Sequence, residues 1–341
     1  MGLVLKKAMF VLILGFVFLL AMVSIFKIGR ADVVTVYIRA DGSIDPLISP
    51  ISTLDNITYT LTNDINGSLY IERDNITFNG NGHTIIGQYD ATPRISRYLG
   101  LYCQNITNIF VTNATITSLV YVRYCSRTLF SGNNMTGGIH FDTSNNNEVL
   151  DNRISGSAPI GSISVDISTH NNFSRNYVTG YGIGLHSSWY NTISENNITN
   201  SLGIVLFVSN YNTIIGNNLT NITSTFIGFS NSLNNIVYHN NFVNGGGVSI
   251  TDSGPPFGNN TWDNGYPSGG NYWAGYNATA MNATEIDSSG IWSKPYEMVP
   301  GNIDNYPLIH PIPEFPSFFI LPLIFTTTLV AVLLFRKRRI K

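Results

Sequence analysis

Cysteine and positive charge are both scarce in this chain. Only 2 of its 341 residues are cysteine, and Cys103 and Cys125 fall at non-equivalent positions of the repeat described below, which does not favour a disulfide between them. Residues 32–316 hold all 20 acidic residues but only 9 of the 18 Lys and Arg, a net charge of −11. Nucleic acid and anionic lipid both require clustered positive charge, so neither is an expected partner of this region.

Long apolar runs are confined to the two ends. Residues 8–26 follow Lys6 and Lys7, the layout of a secretory signal or an uncleaved signal anchor. Residues 317–335 form a second run, about 28 Å long as a helix and thus long enough to cross a bilayer once. The basic residues of 336–341 follow it and are expected to stay in the cytoplasm. We therefore expect an exported protein at the extracellular face of the membrane, with a single C-terminal anchor.

Glycosylation motifs are frequent between these two runs. Asn-X-Ser/Thr occurs at about twice the frequency expected by chance, which favours N-glycosylation of an exported protein. The alternative is that a repeat rich in Asn and Thr creates such motifs by accident. The thirteen candidate sites are Asn56, Asn66, Asn75, Asn105, Asn113, Asn134, Asn172, Asn197, Asn218, Asn221, Asn259, Asn277 and Asn282.

The central part of the chain repeats itself. The repeat is clearest in Tyr190–Thr199, YNTISENNIT, and Tyr211–Thr220, YNTIIGNNLT. Successive units are 19 to 24 residues apart, or about 21 residues each. They start at Leu101, Val120, Ile139, Ile163, Ile183, Ile204 and Ile227.

Apolar side chains recur at the start of each unit and two, ten and fifteen residues later. Two residues after the start stand Cys103, Val122, Phe141, Val165, Leu185, Leu206 and Phe229; ten after, Val111, Phe130, Val149, Phe173, Ile193, Ile214 and Val237; fifteen after, Ile116, Met135, Ile154, Val178, Ile198, Leu219 and Phe242. A spacing of two places side chains on one face of a strand. Stacking such coils at about 4.8 Å buries these columns, so the pattern predicts an all-β, right-handed parallel β-helix.

Asparagine forms a further column thirteen residues after each start. The pattern predicts a stacked asparagine ladder at a turn, with a structural role, because Asn tolerates unusual backbone angles and its amide can satisfy turn groups. The column contains Asn133, Asn152, Asn176, Asn196, Asn217 and Asn240, with Ala114 as the exception.

Five segments follow from these patterns, with a hydrophobic helix expected at each terminus. They are 1–31, a signal peptide or signal anchor; 32–98, an N-terminal cap and first irregular coil; 99–250, the parallel β-helix repeats; 251–311, an aromatic-rich C-terminal cap; and 312–341, a transmembrane anchor or sorting signal with a basic tail.

Three motifs carry a family resemblance. Leu69–Gly87, the repeated Asn-Thr-Ile-X-X-Asn-Asn-Ile, and Gly270–Trp273 with Asp304–Leu308 together resemble the NosD-like branch of the pectate-lyase-type β-helix families, over most of residues 65–311. The resemblance implies a right-handed β-helix of the kind found in carbohydrate-binding and sugar-hydrolysing repeat domains. Its founding members are associated with copper delivery in nitrous oxide reduction.

Metal ligands are few. Six His and six Met show no clustered ligand spacing, so copper is not carried over from the family and no metal site or cofactor is expected. Relatives often have an Asp-rich, calcium-loop-like stretch before the last motif. Here only Glu285 and Asp287 are acidic between Tyr276 and Trp292, too few oxygen ligands to support Ca²⁺.

The C-terminal segment resembles a sorting signal. Pro313–Pro316, an apolar run and a basic cluster look like the PEF-type signal of archaeal surface proteins, which implies processing by a sorting transpeptidase. A plain transmembrane anchor explains the same residues equally well.

One polar column is a candidate active site. Side chains one and three residues after each start point outward, and they bring together Arg123, His140, Asp142, Asp166 and His186 at steps of about 4.8 Å. Such a face could serve glycoside hydrolysis through two carboxylates, or uronate elimination through a base and a cation. Trp189 could stack on a sugar beside His186. The alternative is an ordinary hydrated outer face with Trp189 packed under a loop.

Three functions remain open at this point. The first, favoured because no sharp catalytic motif is present, is a surface-anchored rod that binds a polysaccharide or other cell-envelope glycan, or that is structural. The second is a polysaccharide lyase, hydrolase or epimerase that acts through the polar column. The third is copper handling, by family association alone.

Overall fold

The computed structural model describes residues 34–90, 97–156, 161–251 and 259–313. The expected terminal helices, in residues 8–26 and 317–335, lie outside these ranges. Within the described residues, no helix is long and apolar enough to span a bilayer.

Three parallel sheets run along the solenoid. In chain order, sheet A contains Val36–Ile38, Ile44–Asp45, Leu69–Ile71, Gln88–Asp90, Arg97–Gln104, Leu119–Arg123, Ile139–Asp142, Ile163–Asp166, Ile183–His186, Ile204–Phe207, Ile227–Ser230 and Val248–Thr251. Sheet B contains Ile51–Ser52, Thr58–Leu61, Ile76–Asn79, Ile109–Thr112, Leu129–Ser131, Glu148–Leu150, Asn172–Ser174, Thr192–Ser194, Thr213–Ile215 and Ile236–Tyr238. Sheet C contains Thr84–Ile85, Thr115–Ile116, Asn134–Met135, Arg153–Gly156, Tyr177–Gly180, Asn197–Ser201, Asn218–Thr220, Asn241–Val243 and Tyr272–Trp273. A hairpin of Tyr296–Val299 and Asn302–Asp304 follows.

The apolar columns form one continuous core, which confirms the predicted parallel β-helix. Each coil passes through sheets A, B and C in turn, and the pairing between coils follows the predicted register, as in Ile163 with Ile183 and Ile204. Every one of the 28 column positions is at most 1% exposed. Because neighbouring coils share this core, a coil that lost its apolar face would also expose the coils on either side.

The asparagine column is a hydrogen-bonded ladder, as predicted. The Asn196 side-chain oxygen accepts from the backbone and side-chain nitrogens of Asn176, at 2.9 and 3.0 Å. The Asn196 amide group donates to the Phe173 carbonyl at 2.8 Å and to the Asn217 side-chain oxygen at 2.9 Å. Each rung therefore satisfies buried turn groups of the coils on either side.

Two further ladders were not predicted from the sequence. A second asparagine ladder lies at the turn between sheets A and B and uses the same pattern of bonds; it contains Asn147, Asn171, Asn191, Asn212, Asn235 and Asn260. A serine ladder precedes it, in which each backbone N–H donates to the next hydroxyl; it contains Ser144, Ser168, Ser188, Ser209 and Ser232. Together they pair backbone N–H groups of successive coils at this corner.

The C-terminal end of the core is closed by aromatic side chains and one buried acid. Trp262 and Trp273 pack against the last coils. The Asp304 carboxylate accepts from the Trp273 indole at 2.8 Å, the Asn271 backbone N–H at 2.8 Å and the Tyr306 backbone N–H at 3.1 Å. Asn271 extends the ladder by one rung beyond the predicted Asn240, so Asp304 ties the end of the ladder to the closing hairpin.

Candidate functional site

The predicted polar column lies on the outer face of sheet A. Strand pairing aligns Arg123, Asp142, Asp166, His186 and Phe207 on five successive strands. The neighbouring outward column aligns Tyr102, Tyr121, His140, Ser164, Gly184, Val205 and Gly228. The five predicted site residues are therefore next to one another, and side-chain contacts divide them into two groups.

Asp142 is the centre of the first group. Arg123 Nε lies 3.0 Å from Asp142 Oδ2 as an ion pair. The Tyr121 hydroxyl donates to the same oxygen at 2.8 Å, and the Thr143 hydroxyl donates to Oδ1 at 2.9 Å. Burial, together with the hydrogen bond to Asp142, raises the pKa of Tyr121 well above its ordinary value. Both carboxylate oxygens of Asp142 are thus engaged as acceptors.

Asp166 is the centre of the second group and lies between two histidines. Its Oδ2 is 2.8 Å from His140 Nε2, and its Oδ1 is 3.0 Å from His186 Nδ1. Burial by itself would raise the pKa of Asp166, but the hydrogen bonds from His140 and His186 outweigh it and lower that pKa well below its ordinary value. The carboxylate accepts, so the His186 proton lies on Nδ1 and Nε2 is left as the free nitrogen of the neutral ring. This arrangement orients the His186 ring as a base or hydrogen-bond partner.

The Asp166–His186 pair is expected to make a pH-dependent contribution to the free energy of unfolding. The hydrogen bond to Asp166 raises the pKa of His186, so its contribution is complete below about pH 6.5, the pKa expected in the unfolded chain, and is lost as pH rises through the folded-state pKa. We expect His186→Gln to lower the free energy of unfolding at pH 6 by less than about 1 kcal/mol, because the ring is half exposed, and to have almost no effect at pH 9. Urea unfolding at both pH values measures this. A loss that is equal at both values would contradict the ion pair.

An aromatic row occupies the N-terminal half of this face. Ring centroids are 5.0 to 5.5 Å apart along Tyr37, Tyr70, Tyr102, Tyr121 and His140. Tyr121 also packs with Leu99 and Leu119 in a small cluster outside the main core. The row therefore forms a continuous strip of packed rings that ends at His140.

Beyond His140 the outward column changes to small side chains. The column beside Asp166 and His186 continues in the order Ser164, Gly184, Val205 and Gly228. Only the His186 ring would lie within 4 Å of a Cβ placed on Gly184, with Nε2 at 3.8 Å. The free nitrogen of His186 thus lies beside the gap that Gly184 leaves in this column, here called the trough, whereas Ser164 and Gly228 are buried.

Trp189 does not make the aromatic contact with His186. Phe207 does, edge to face at 6.4 Å, and Phe207 is 48% exposed. Trp189 lies partly buried in the following turn, where its carbonyl accepts from the His170 backbone N–H. Phe207 stands in the predicted polar column, three residues after a unit start, and that position was the signal that could have identified it.

The expected glycosylation sites lie outside the strands of this face. None of the thirteen lies in a strand of sheet A within the described residues. Asn218, in sheet C, is 8% exposed, whereas Asn105, Asn113 and Asn221 are exposed at turns. Glycans at these turns would leave the sheet A face open.

The other candidate ligands are dispersed. Cys103 and Cys125 are both free and buried. Burial raises the pKa of both thiols above the ordinary value. In the part of the chain that the structure describes, no group of three or more His, Cys, Asp and Glu residues is placed to hold a metal ion.

The protein is a parallel β-helix, and its candidate site lies on the outer face of sheet A. A family model described as "Periplasmic copper-binding protein (NosD)" matches residues 61–278, well over half of the sequence. The chain belongs to the NosD family. No match was found among curated proteins.

Solved structures show distant similarity. The periplasmic alginate epimerase AlgG is 14% identical over 56% of this chain, with a TM-score of 0.39, and the match spans 65% of AlgG, slightly under two thirds. DFA-IIIase from Arthrobacter chlorophenolicus A6 is 10% identical over 53% of this chain and 57% of its own, with a TM-score of 0.33. At these values neither similarity indicates an activity.

Proposed function

We propose that this chain is a glycan-binding β-helix of the cell surface, and that it binds a sugar chain along the outer face of sheet A. The observation that carries the proposal is the fixed His186 ring, whose free nitrogen faces the trough over Gly184 beside exposed Phe207. Sugars offer hydroxyl groups to polar side chains and apolar ring faces to aromatic ones, and this face presents both.

The state of the two carboxylates favours binding over glycoside hydrolysis. Hydrolysis requires one carboxyl group that stays protonated and donates to the leaving oxygen. The pKa of Asp166 is lowered, and both oxygens of Asp142 accept hydrogen bonds or pair with Arg123. Neither group is therefore suited to act as the general acid.

A second candidate function is proton abstraction from a sugar, as in a polysaccharide lyase or epimerase. It is favoured by Asp166, which orients His186 with Nε2 free, the arrangement of a general base. Arg123 is the nearest guanidinium in the column, but it pairs with Asp142. A uronate carboxylate would have to compete with Asp142 for that cation.

Copper handling, which the family description suggests, is less well supported by the residues present. His140 and His186 both direct a ring nitrogen to the same carboxylate, and Cys103 and Cys125 are buried with raised pKa values. A copper site requires several His, Met or Cys ligands that converge on one point, and a Cys ligand binds as its thiolate. We therefore propose no step that involves copper.

The proposed location is the outer side of the cell membrane. It is supported by the apolar runs at residues 8–26 and 317–335 and by the basic cluster that follows the second run. A sorting transpeptidase or direct insertion in the membrane would each attach the chain there.

The second prediction concerns Asp166. Replacing Asp166 by Asn should weaken glycan binding by about tenfold, because His186 loses the carboxylate that orients it. If the chain is a lyase or epimerase, turnover should fall by about 10²–10⁴-fold. His186→Ala should have the same effect, and far-UV circular dichroism should stay unchanged in both variants.

Asp151→Asn is the matched control. Asp151 pairs with Arg175 at 3.0 Å on a turn away from sheet A, so its loss removes a similar ion pair without affecting the site. Binding or turnover that persists in both Asp166→Asn and His186→Ala would rule out this face as the site.

A further inference from the structure

A pocket of about 330 Å³ lies at the C-terminal end of the solenoid, away from the site described above. Aromatic and glycine residues form most of its walls, among them Phe242, Trp273, Tyr296, Gly247 and Gly275. None of Arg123, His140, Asp142, Asp166 and His186 contributes to it. Its volume falls within the range of small-ligand sites in proteins.

The aromatic wall is held in a fixed orientation. Trp273 stacks on Phe242 with ring centroids 4.3 Å apart, and Tyr296 lies 5.1 Å from Trp273. The Trp273 indole donates to buried Asp304 at 2.8 Å, which fixes the plane of its ring. Trp273 is only 5% and Phe242 1% exposed, so a ligand would mainly meet the partly exposed Tyr296 ring and a small part of Trp273, both already ordered before it binds.

The polar groups of the pocket are uncharged. Among the lining residues, none carries an ionised side chain, and the polar contributions come from the Asn244 amide, the Tyr296 hydroxyl and the glycine backbone. An uncharged ligand with one apolar face and a hydroxyl-bearing edge matches this combination. We propose that the pocket binds an uncharged sugar ring, as a second glycan site independent of the sheet A face.

Two sources could supply that ring. One is a separate neutral glycan. The other is a glycan on the chain itself, because the Asn244 amide donates to Asn221 Oδ1 at 3.4 Å, and Asn221 is an exposed glycosylation motif at the edge of the pocket. Both sources present the same chemistry to Trp273.

Gly275→Leu is the variant that tests the pocket without changing the sheet A face. A Cβ on Gly275 would have no atom within 4 Å, and Gly275 does not adopt the left-handed conformation. Gly275 lines the pocket at an exposed position, so a leucine there should add bulk at the pocket wall without strain in the backbone. Gly184→Leu fills the trough on sheet A in the same way and is the control for the other site.

The full chain is made without glycosylation and labelled with ¹⁵N-Trp, and its indole N–H signals are followed by NMR. It is titrated with neutral hexasaccharides of glucose, mannose and N-acetylglucosamine, and separately with oligogalacturonate. We expect at least one neutral sugar to shift the Trp273 signal at millimolar concentration, and oligogalacturonate not to do so. The shift should persist in Gly184→Leu and disappear in Gly275→Leu. No Trp273 shift with any neutral sugar, or a shift that survives Gly275→Leu, would overturn the proposal.

A second arm identifies the source. The titration is repeated with glycosylated chain and with glycosylated Asn221→Gln. If added sugar shifts the Trp273 signal only in Asn221→Gln, the glycan attached to Asn221 occupies the pocket. A signal that responds in both forms assigns it to a separate glycan. Either result supports a sugar site, and a failure of sheet A binding alone would leave both readouts unchanged.

Discussion

Replacing Asn196 by Ala should lower the free energy of unfolding by about 3–5 kcal/mol, although no apolar core side chain changes. Asn196 is fully buried and makes bonds in both directions along the ladder. Its loss leaves a backbone N–H of Asn176 and the carbonyl of Phe173 without their partners in a water-free turn. Each buried polar group left unsatisfied costs about 1–3 kcal/mol.

Chemical denaturation of the two variants Asn196→Ala and Asn197→Ala measures this effect. Asn197 is the adjacent residue, but its side chain lies on the outer, partly exposed face of sheet C. We expect its replacement to cost less than about 1 kcal/mol. Equal losses for the two variants would show that the ladder has no special role in stability.

Replacing Asp304 by Ala should also cost about 3–5 kcal/mol, because it leaves the Trp273 indole and the backbone N–H groups of Asn271 and Tyr306 without acceptors. Asp304→Asn should cost less, since one amide oxygen can still accept. A Cβ added to Gly270 would lie 1.9 Å from Asp304 Oδ1, so only glycine at residue 270 leaves the space that this carboxylate occupies. Thermal unfolding of both variants ranks them, and an Asp304→Ala chain as stable as wild type would contradict this role.

The same residue predicts a pH dependence. Burial raises the pKa of Asp304 to about 6, although three N–H groups bond to its oxygens and act in the opposite direction. Between the ordinary pKa of about 4 and this value, the folded state binds more protons than the unfolded state, so the contribution of Asp304 falls as pH rises through that window. The slope should be absent in Asp304→Asn, and a slope that persists there must come from another group.

The repeat made much of this fold predictable. The four apolar columns, the strand register and the ladder that contains Asn196 all follow from a period of about 21 residues, because stacked coils require the same side chain at the same position. The second asparagine ladder obeys the same logic at Asn191, but its column was not predicted. The serine ladder is harder to detect, since Ser is also common at ordinary exposed turns.

The candidate site was predictable only in part. Register placed Arg123, Asp142, Asp166 and His186 side by side, but it could not show that Asp166 pairs with both histidines, because that depends on side-chain rotamers across three strands. Asp304 lies outside the repeat, so no periodicity marked it. The pocket beside Trp273 forms from segments distant in sequence, and only the folded chain brings them together.

Glycan binding on the outer face of sheet A is tested most directly by an array of neutral and uronic-acid polysaccharides, probed with the purified wild-type chain and with Gly184→Leu. Gly184 is partly exposed and an added Cβ meets only His186 Nε2, at 3.8 Å, so a leucine there should keep the fold and fill the trough beside His186. We expect wild type to retain at least one polysaccharide and Gly184→Leu to lose most of that binding. If no polysaccharide is retained, or if both chains bind equally well, the sheet A face is not a glycan site.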